Sequence, residues 1–193
     1  MASEQKKQPG RGAYEWVQTL VCSVLAVVLV FTFAVRGFRV DGQSMRENLQ
    51  DGDMLLVLSD GLCGDYQPGD IVILRKASFR DGKPIVKRVI AMAGQTVDID
   101  FGAGIVYVDG EALEEDYIRE PTWTPEGLNF PVTVPEGHIF VLGDNRNDSS
   151  DSRHKDLGPI DTRMVIGKAV FLVVPGVTVD LGTREWSRAG FLK

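Results

Sequence analysis

The sequence predicts an all-β domain preceded by one transmembrane helix. Residues 16–35 carry no charged side chain. After residue 38 the apolar residues come in short runs bounded by Gly, Pro, Asp or Asn, which is typical of β-sandwiches and barrels. The runs predict strands at Met54–Leu58, Ile71–Leu74, Ile85–Ala91, Thr96–Ile99, Ile105–Val108, Val132–Val134, Ile139–Leu142 and Val165–Val174.

The apolar run 16–35 is predicted to be a retained signal-anchor helix. A helix needs about 20 residues to span the bilayer core, whereas the apolar part of a cleavable signal has about 7–15. Basic residues lie on both sides of the run: Lys6, Lys7 and Arg11 before it, and Arg36, Arg39 and Arg46 after it. Because the two sides are nearly equal, charge alone does not orient the helix.

The remaining chain divides into a β-rich domain and a short tail. The domain is predicted over residues 36–182 and a peripheral tail over 183–193. Within the domain, Asp109-Gly110 predicts a tight hairpin turn. Residues 115–131 contain three prolines and are predicted to be an extended surface excursion.

Composition narrows the functional classes. The 193 residues carry a net charge of −6, which argues against a general nucleic-acid binder, because such proteins present a basic face. The two cysteines, Cys22 and Cys63, are too few for a disulfide framework or a zinc site with several thiolates. We expect no metal and no cofactor.

Ser44 is the first candidate for chemistry. A lone serine is ordinarily a turn residue, so its position rather than its type makes it notable. Its link to Val35, the end of the apolar run, reaches at most about 30 Å even when extended. Ser44 is therefore expected near the membrane surface.

Lys87 is the second candidate. In the predicted strand 85–91 it shares one apolar face with Ile85 and Val89. Burial lowers the pKa of a lysine, and the neutral amine can take a proton from a serine hydroxyl. Arg88, on the other face, cannot act in this way because a guanidinium stays protonated. The alternative is an edge or snorkelling lysine.

A dense polar loop, residues 143–153, follows the predicted strand Ile139–Leu142. It does not fit an EF-hand, because Arg146, Ser149 and Lys155 stand where that loop needs an acceptor, a glycine and a glutamate. Two interpretations remain. The loop is either solvated or built from carboxylate–guanidinium pairs that support a site.

Together these segments resemble the bacterial type I signal peptidases, a family of serine–lysine dyad proteases also called leader peptidases. Four boxes occur in the family's order: Ser44–Leu49, Gly69–Val72, Lys87–Ile90 and Gly143–Arg153. The resemblance covers about residues 14–175. It implies the coiled β-sheet that signal peptidases share with repressor-type proteases, held outside the cytoplasmic membrane by its anchor.

The resemblance also implies roles for individual residues. Ser44 corresponds to the nucleophile and Lys87 to the general base. Ser149 corresponds to the serine that hydrogen-bonds to and orients the lysine, and Asp151 and Arg153 to a structural ion pair beside it. The residues implied to line shallow substrate pockets are Val40, Met45, Leu49, Ile85 and Val86. Departures from the family pattern follow Ser44, where Glu47 and Asn48 replace a proline and a threonine.

The implied function is a membrane-anchored serine endopeptidase that removes signal peptides after small residues. Its expected partners are preproteins with N-terminal signal peptides, the lipid bilayer and the nearby secretion translocon, with no nucleic acid. The expected location is the cytoplasmic membrane, crossed once, with residues 1–15 cytoplasmic and the catalytic domain extracytoplasmic.

Other functions fit the sequence less well. The main alternative is a catalytically silent, membrane-anchored β domain that binds proteins. A self-cleaving repressor-type protease would carry a DNA-binding module where this chain has its apolar helix. A Ser–His–Asp triad is disfavoured because His138 and His154 are the only histidines and neither has an evident orienting carboxylate.

Overall fold

The computed structural model describes residues 11–178 and 182–192. The helices are α1 (Arg11–Phe33) and α2 (Asp60–Cys63). The strands are β1 (Val35–Arg39), β2 (Met54–Ser59), β3 (Ile71–Leu74), β4 (Ile85–Met92), β5 (Thr96–Asp100), β6 (Ile105–Val108), β7 (Glu111–Ala112), β8 (Val132–Thr133), β9 (His138–Leu142), β10 (Ile160–Asp161), β11 (Val165–Val174) and β12 (Gly190–Phe191). Short 3-10 turns lie at Arg80–Gly82, Arg146–Asp148, Thr162–Met164 and Trp186–Arg188.

Helix α1 is long and apolar enough to cross a membrane over Gly12–Thr32, and the described part of the chain buries none of its most apolar stretch. It starts before the predicted run 16–35 and stops short of that run's end. Val35 instead opens β1, where it pairs with Leu58. The boundaries differ because a charge-free run marks what can lie in lipid, whereas helical hydrogen bonding also continues through polar residues.

The strands form two antiparallel sheets. The larger sheet has the order β1-β2-β11-β3-β4-β9-β10, and β12 adds to β11; the smaller one has the order β7-β6-β5-β8. Irregular register along β11, β4 and their partners increases the local twist, so the larger sheet curls. The predicted all-β class is confirmed.

The predicted strand positions agree with the structure to within one residue at each end. The predicted turn at Asp109-Gly110 joins β6 to β7, with φ of 53° and 83° at its two residues. Positive φ at both positions is the conformation that two-residue hairpin turns require. Alternating apolar runs and turn residues were thus sufficient to find these elements.

Strand β4 is buried on both faces, and this determines the environment of the candidate lysine. It lies between β3 and β9 in the larger sheet. Val86 packs in one core cluster, Ile85 and Val89 in a second, and Ile90 in a third that the smaller sheet shares. A polar side chain on this strand therefore enters the protein interior.

The C-terminal segment, residues 182–192, overlaps the predicted tail and packs against the domain. Its strand β12 pairs with β11. Its Arg188 forms an ion pair with Asp53, whose side chain is fully buried. Its apolar residues form no alternating run of strand length, so the sequence did not indicate a packed element.

Candidate active site

Ser44 lies in a compact loop between β1 and β2, residues 40–53, which we call the Ser44 loop. Backbone hydrogen bonds close its base: Val40 N–H donates to Asp53 O (2.8 Å) and Gly52 N–H donates to Val40 O (2.9 Å). Within it, Leu49 N–H donates to Met45 O (2.8 Å), so the residues after Ser44 form a tight turn. The hydroxyl of Ser44 is thus presented by a braced loop rather than by a strand.

The amine of Lys87 reaches Ser44 from β4. Its Nζ donates to Ser44 Oγ at 2.6 Å and to the carbonyl oxygen of Val86 at 2.9 Å. The side chain of Lys87 is fully buried. The two residues that the resemblance paired are therefore in hydrogen-bond contact, which is the arrangement an activated serine requires.

Burial lowers the pKa of Lys87 from its ordinary value of 10.5 to about 8. The positive charge of Arg80 lowers it as well, whereas the carboxylates of Asp151, Glu126 and Asp144 act in the opposite direction. Desolvation outweighs these carboxylates because a charged amine loses its hydration in the interior. A substantial fraction of the amine is consequently neutral near physiological pH.

Asp151 organises the buried polar groups beside Lys87. Its carboxylate pairs with Arg153 at 2.8 Å and accepts the backbone N–H of Gly143 at 2.9 Å. Although burial raises the pKa of Asp151, its hydrogen bonds and ion pair with Arg153 hold the pKa below its usual range. Asp151 therefore remains an anion in the interior.

The predicted hydrogen bond from Ser149 to Lys87 is not formed among the described residues. The hydroxyl of Ser149 instead donates to Asp151 Oδ2 at 2.8 Å. The carboxylate is the stronger acceptor, because a hydrogen bond to a charged group exceeds one between neutral groups. Ser149 thus reaches the lysine only indirectly, through the anion that faces it.

A second buried ion pair joins the four boxes of the sequence. The guanidinium of Arg88 donates to both carboxylate oxygens of Asp144, to Oδ1 at 2.8 Å and to Oδ2 at 2.7 Å. It also donates to Gly69 O at 2.9 Å. The amide of Asn48, in the Ser44 loop, donates to Asp144 Oδ2 at 2.8 Å and to Tyr117 O at 2.6 Å. Each box contributes one member, so this network sets the position of the boxes relative to one another.

The polar loop 143–153 holds the backbone on either side of the candidate nucleophile. Asn145 N–H donates to Ser44 O at 3.0 Å, and its side-chain amide donates to Gln43 O at 3.1 Å. A Cβ atom at Gly143 would lie 2.5 Å from Ser44 O and closer still to the hydroxyl of Ser149. Only glycine allows this approach of the two loops.

A third buried guanidinium fastens the proline-rich excursion to this loop. Arg146 donates to Glu115 Oε2 at 2.9 Å, to Thr122 Oγ1 at 2.8 Å and to Gly143 O at 3.0 Å. Sequence reasoning missed Glu115 and Thr122, because pairing across such a distance along the chain leaves no local pattern. The available signal was the presence of two arginines in the loop, Arg146 and Arg153, each of which needs acceptors when buried.

A polar cleft of about 550 Å³ opens at Ser44. It is lined by residues 41–44 of the Ser44 loop, by Phe79 and Arg80, by Thr124 and Glu126, by residues 147–150 and by His154. His154 shares the cleft, but its Nδ1 accepts the backbone N–H of Asp156 at 3.2 Å. The hydrogen-bond partner of the Ser44 hydroxyl among the described residues is Lys87.

The five residues predicted to line substrate pockets are core residues in this structure. Val40, Met45, Leu49 and Val86 share one hydrophobic cluster and Ile85 belongs to another. Met45 and Leu49 are 1% and 0% exposed, whereas the other three retain 4–7%. Contact of Met45 or Leu49 with a substrate would require a pocket that the present packing closes.

Comparison with known families gives a match to signal peptidase, peptidase S26, over residues 13–174. The chain belongs to the signal peptidase family. The resemblance inferred from the four boxes is confirmed, and membership makes the chain a hydrolase of the protease class. The signal peptidase match includes all but the first two residues of α1 and all four boxes, and it ends before the C-terminal segment.

Individual signal peptidases are similar to this chain. A signal peptidase I of Bacillus licheniformis is 34% identical over 185 residues, covering 91% of this chain and 96% of that protein. A probable signal peptidase I-1 of Synechocystis sp. is 39% identical over 166 residues, covering 81% of this chain and 79% of that protein. A solved signal peptidase I from Enterococcus faecalis is 34% identical, with a TM-score of 0.44, and covers 54% of this chain and 96% of that chain.

The departure from the signal-peptidase pattern after Ser44 has a visible backbone consequence. Glu47 has a φ of 92°, whereas the proline ring restricts φ to about −65°. The turn of this chain is therefore one that a proline at position 47 cannot adopt. Asn48, the second departure, supplies the amide that reaches Asp144.

Proposed function

We propose that this protein is a membrane-anchored serine endopeptidase that removes signal peptides from preproteins, with Ser44 as nucleophile and Lys87 as general base. The observation that carries the proposal is the 2.6 Å hydrogen bond between Lys87 Nζ and Ser44 Oγ. The full burial of the amine adds to it, because a desolvated lysine can act as a base near neutral pH.

The proposed reaction proceeds through an acyl-enzyme. Neutral Lys87 accepts the hydroxyl proton of Ser44 as Oγ attacks the carbonyl carbon before the scissile bond. The resulting ammonium donates that proton to the leaving amine, which departs as the N-terminus of the mature protein. Lys87 then takes a proton from a water molecule that attacks the ester and returns it to Ser44 Oγ as that oxygen leaves, so the dyad is restored and the released acid is the signal peptide.

The surroundings of the two residues support these steps. Gly42 offers no side-chain donor in the loop, so backbone N–H groups, that of Ser44 included, are assigned to the developing oxyanion. Ionised Asp151, held by Arg153, stabilises the ammonium that forms on Lys87. Ser149 orients Asp151 through its hydroxyl.

The substrate is proposed to bind in an extended conformation beside the start of β4. Pairing through backbone groups at Ile85 and Val86 is indifferent to sequence, which suits an enzyme with many preprotein substrates. Val40, Ile85 and Val86 keep some exposure and are proposed to line shallow pockets for small residues. Met45 and Leu49 shape these pockets from the core.

The location follows from the anchor. Helix α1 is proposed to cross the cytoplasmic membrane once, with residues 1–15 in the cytoplasm and the β domain outside. Ser44 is then held within about 30 Å of the bilayer, near the translocon, where the end of a signal helix emerges. The burial of the Lys87 amine against Ser44 favours this enzyme over a silent binding domain, since a binding role does not require a desolvated base.

The proposal is tested by incubating the full chain, solubilised in detergent, with a preprotein and following the release of its signal peptide. S44A and K87A are expected to abolish release, whereas S78A and K83A, which alter exposed residues near the site, are expected to cleave as the wild type does. Release by either S44A or K87A at a rate close to wild type would refute the assigned dyad.

A further inference from the structure

The C-terminal segment contacts the Ser44 loop through one side chain. We propose that Arg188 is a positioning residue for the cleavage reaction: by binding Asp53 and Asn48 it holds the Ser44 loop so that Ser44 meets Lys87. This inference rests on the proposed function. It concerns a segment beyond residue 174, where the signal peptidase family match ends.

The contacts of Arg188 bridge two points of the loop. Its Nη2 lies 2.6 Å from Asp53 Oδ2, and its Nη1 lies 3.3 Å from Asp53 Oδ1. The same Nη2 donates to the carbonyl oxygen of Asn48 at 3.2 Å. The side chain of Asp53 is fully buried and that of Arg188 is 15% exposed, so water competes little for this pair.

Asp53 is the residue on which the base of the loop converges. Its carboxylate accepts the backbone N–H of Gln50 at 2.8 Å and that of Gly176 at 2.5 Å. Its carbonyl oxygen accepts Val40 N–H, the bond that closes the loop. Arg188 supplies the positive charge that this buried carboxylate needs.

Asn48 is held from two directions. Its side-chain amide donates to Asp144 in the network that joins the four boxes, and its carbonyl accepts from Arg188 on the other side. The stretch between Ser44 and Asn48 therefore has a fixed end. Without Arg188 the loop keeps its tie to Asp144 and its own backbone hydrogen bonds, but it loses the side-chain contact that joins Asn48 O to Asp53.

The backbone at Gly176 lies too close to the Ser44 loop for any residue larger than glycine. A Cβ atom at Gly176 would lie within 3.0 Å of Asp53 N and nearer still to Asp51 O. The chain leading to the C-terminal segment thus packs directly on the base of the Ser44 loop. Arg184 lies in the same segment but donates to Pro175 O at 3.0 Å, and so provides a matched control.

The experiment measures kcat and KM for preprotein cleavage by the full chain in detergent, at a temperature well below the melting midpoint. The variants are R188M, R188K, the double variant D53N/R188M and the control R184M. The double variant leaves no unpaired carboxylate in the interior. It therefore separates the effect of losing the contact with Asn48 from the effect of burying an uncompensated charge.

A positioning role predicts a fall in kcat of about 10–100-fold for D53N/R188M with KM unchanged, because small misplacements of a reacting group cost this much. R188K is expected to recover part of kcat, and R184M to match the wild type. A merely structural role would lower the melting temperature and leave the turnover of the folded fraction unaltered.

Wild-type kcat for D53N/R188M would overturn the inference, and so would unfolding of that variant below the assay temperature, since the role would then be structural. Failure of the proposed function looks different. In that case the wild type would not cleave the preprotein, or S44A would cleave it, whatever the Arg188 variants show.

Discussion

Arg88 and Asp144 form a buried, two-pronged ion pair in which both guanidinium–carboxylate distances are below 3 Å. Arg88 lies next to Lys87 on β4, and Asp144 lies in the polar loop, whose Asn145 holds the backbone of Ser44. The pair therefore connects the strand of the candidate base to the loop that braces the candidate nucleophile.

Loss of one partner of this ion pair should destabilise the folded protein. D144A removes one partner of a buried ion pair, and we expect a loss of about 3–5 kcal/mol in the free energy of unfolding, together with loss of cleavage. Urea denaturation followed by tryptophan fluorescence measures the change. D65A, which removes an exposed carboxylate, serves as the control and should leave stability unchanged. Equal stability of D144A and wild type would contradict the role given to this pair.

The close approach at Gly143 predicts a sensitive position. G143A places a methyl group against Ser44 O and the Ser149 hydroxyl, and overpacking of this kind destabilises by about 1–3 kcal/mol. We expect the rate of cleavage to fall by more than the loss of folded protein accounts for, because the displaced atoms belong to the site. G37A, where a Cβ atom would meet nothing within 4 Å, is the matched control. A fully active G143A would show that the loops are not in this contact.

The left-handed backbone at Glu47 predicts opposite responses to two substitutions. E47P cannot adopt a φ of 92°, so it should destabilise the protein by more than about 1 kcal/mol and reduce cleavage. E47G accommodates this conformation without strain and should remain active. Thermal melting and cleavage rates of the two variants test the turn. An E47P variant as stable and active as the wild type would indicate a different backbone after Ser44.

Strand β4 shows which features of the site a sequence pattern can predict and which it cannot. Alternation of apolar residues was enough to place Lys87 on an apolar face and to separate it from Arg88. It could not show that both faces are buried, because that depends on β3 and β9, which pair with β4 from other parts of the chain. The degree of burial, and with it the lowered pKa, is a property of the tertiary structure.

The polar contacts of the site were less predictable than its members. The resemblance brought Ser149, Asp151 and Arg153 together, but the hydroxyl of Ser149 is bound to Asp151 rather than to Lys87. Arg188 was assigned to a tail because nothing local in its sequence indicates a partner. Its acceptors, Asp53 and Asn48, lie in a distant loop, and such pairings are set by the fold.

The lowered pKa of Lys87 predicts the pH dependence of cleavage. The neutral amine is the active form, so kcat/KM should rise with pH and level off above a midpoint near 8. The charges that act on it are those of Asp151, Arg80, Glu126 and Asp144. A profile that falls through this range would contradict a lysine base.

Arg80 and Glu126 line the cleft, and substituting each one tests the direction in which its charge shifts the pKa of Lys87. R80Q removes a positive charge that disfavours the ammonium, so the midpoint should move to higher pH. E126Q removes a negative charge that favours the ammonium, so the midpoint should move to lower pH. Shifts in the same direction for both variants would contradict the electrostatic account.

The most direct test of the central claim is the turnover of K87R at a pH above the midpoint, measured on the full chain with a preprotein substrate. Arginine keeps the positive charge and most of the side-chain length, but its guanidinium does not deprotonate in proteins. If Lys87 is the general base, cleavage should fall at least about 100-fold while the protein remains folded. Turnover within about tenfold of wild type, a loss smaller than removal of a general base produces, would show that the proton of Ser44 is taken by another group.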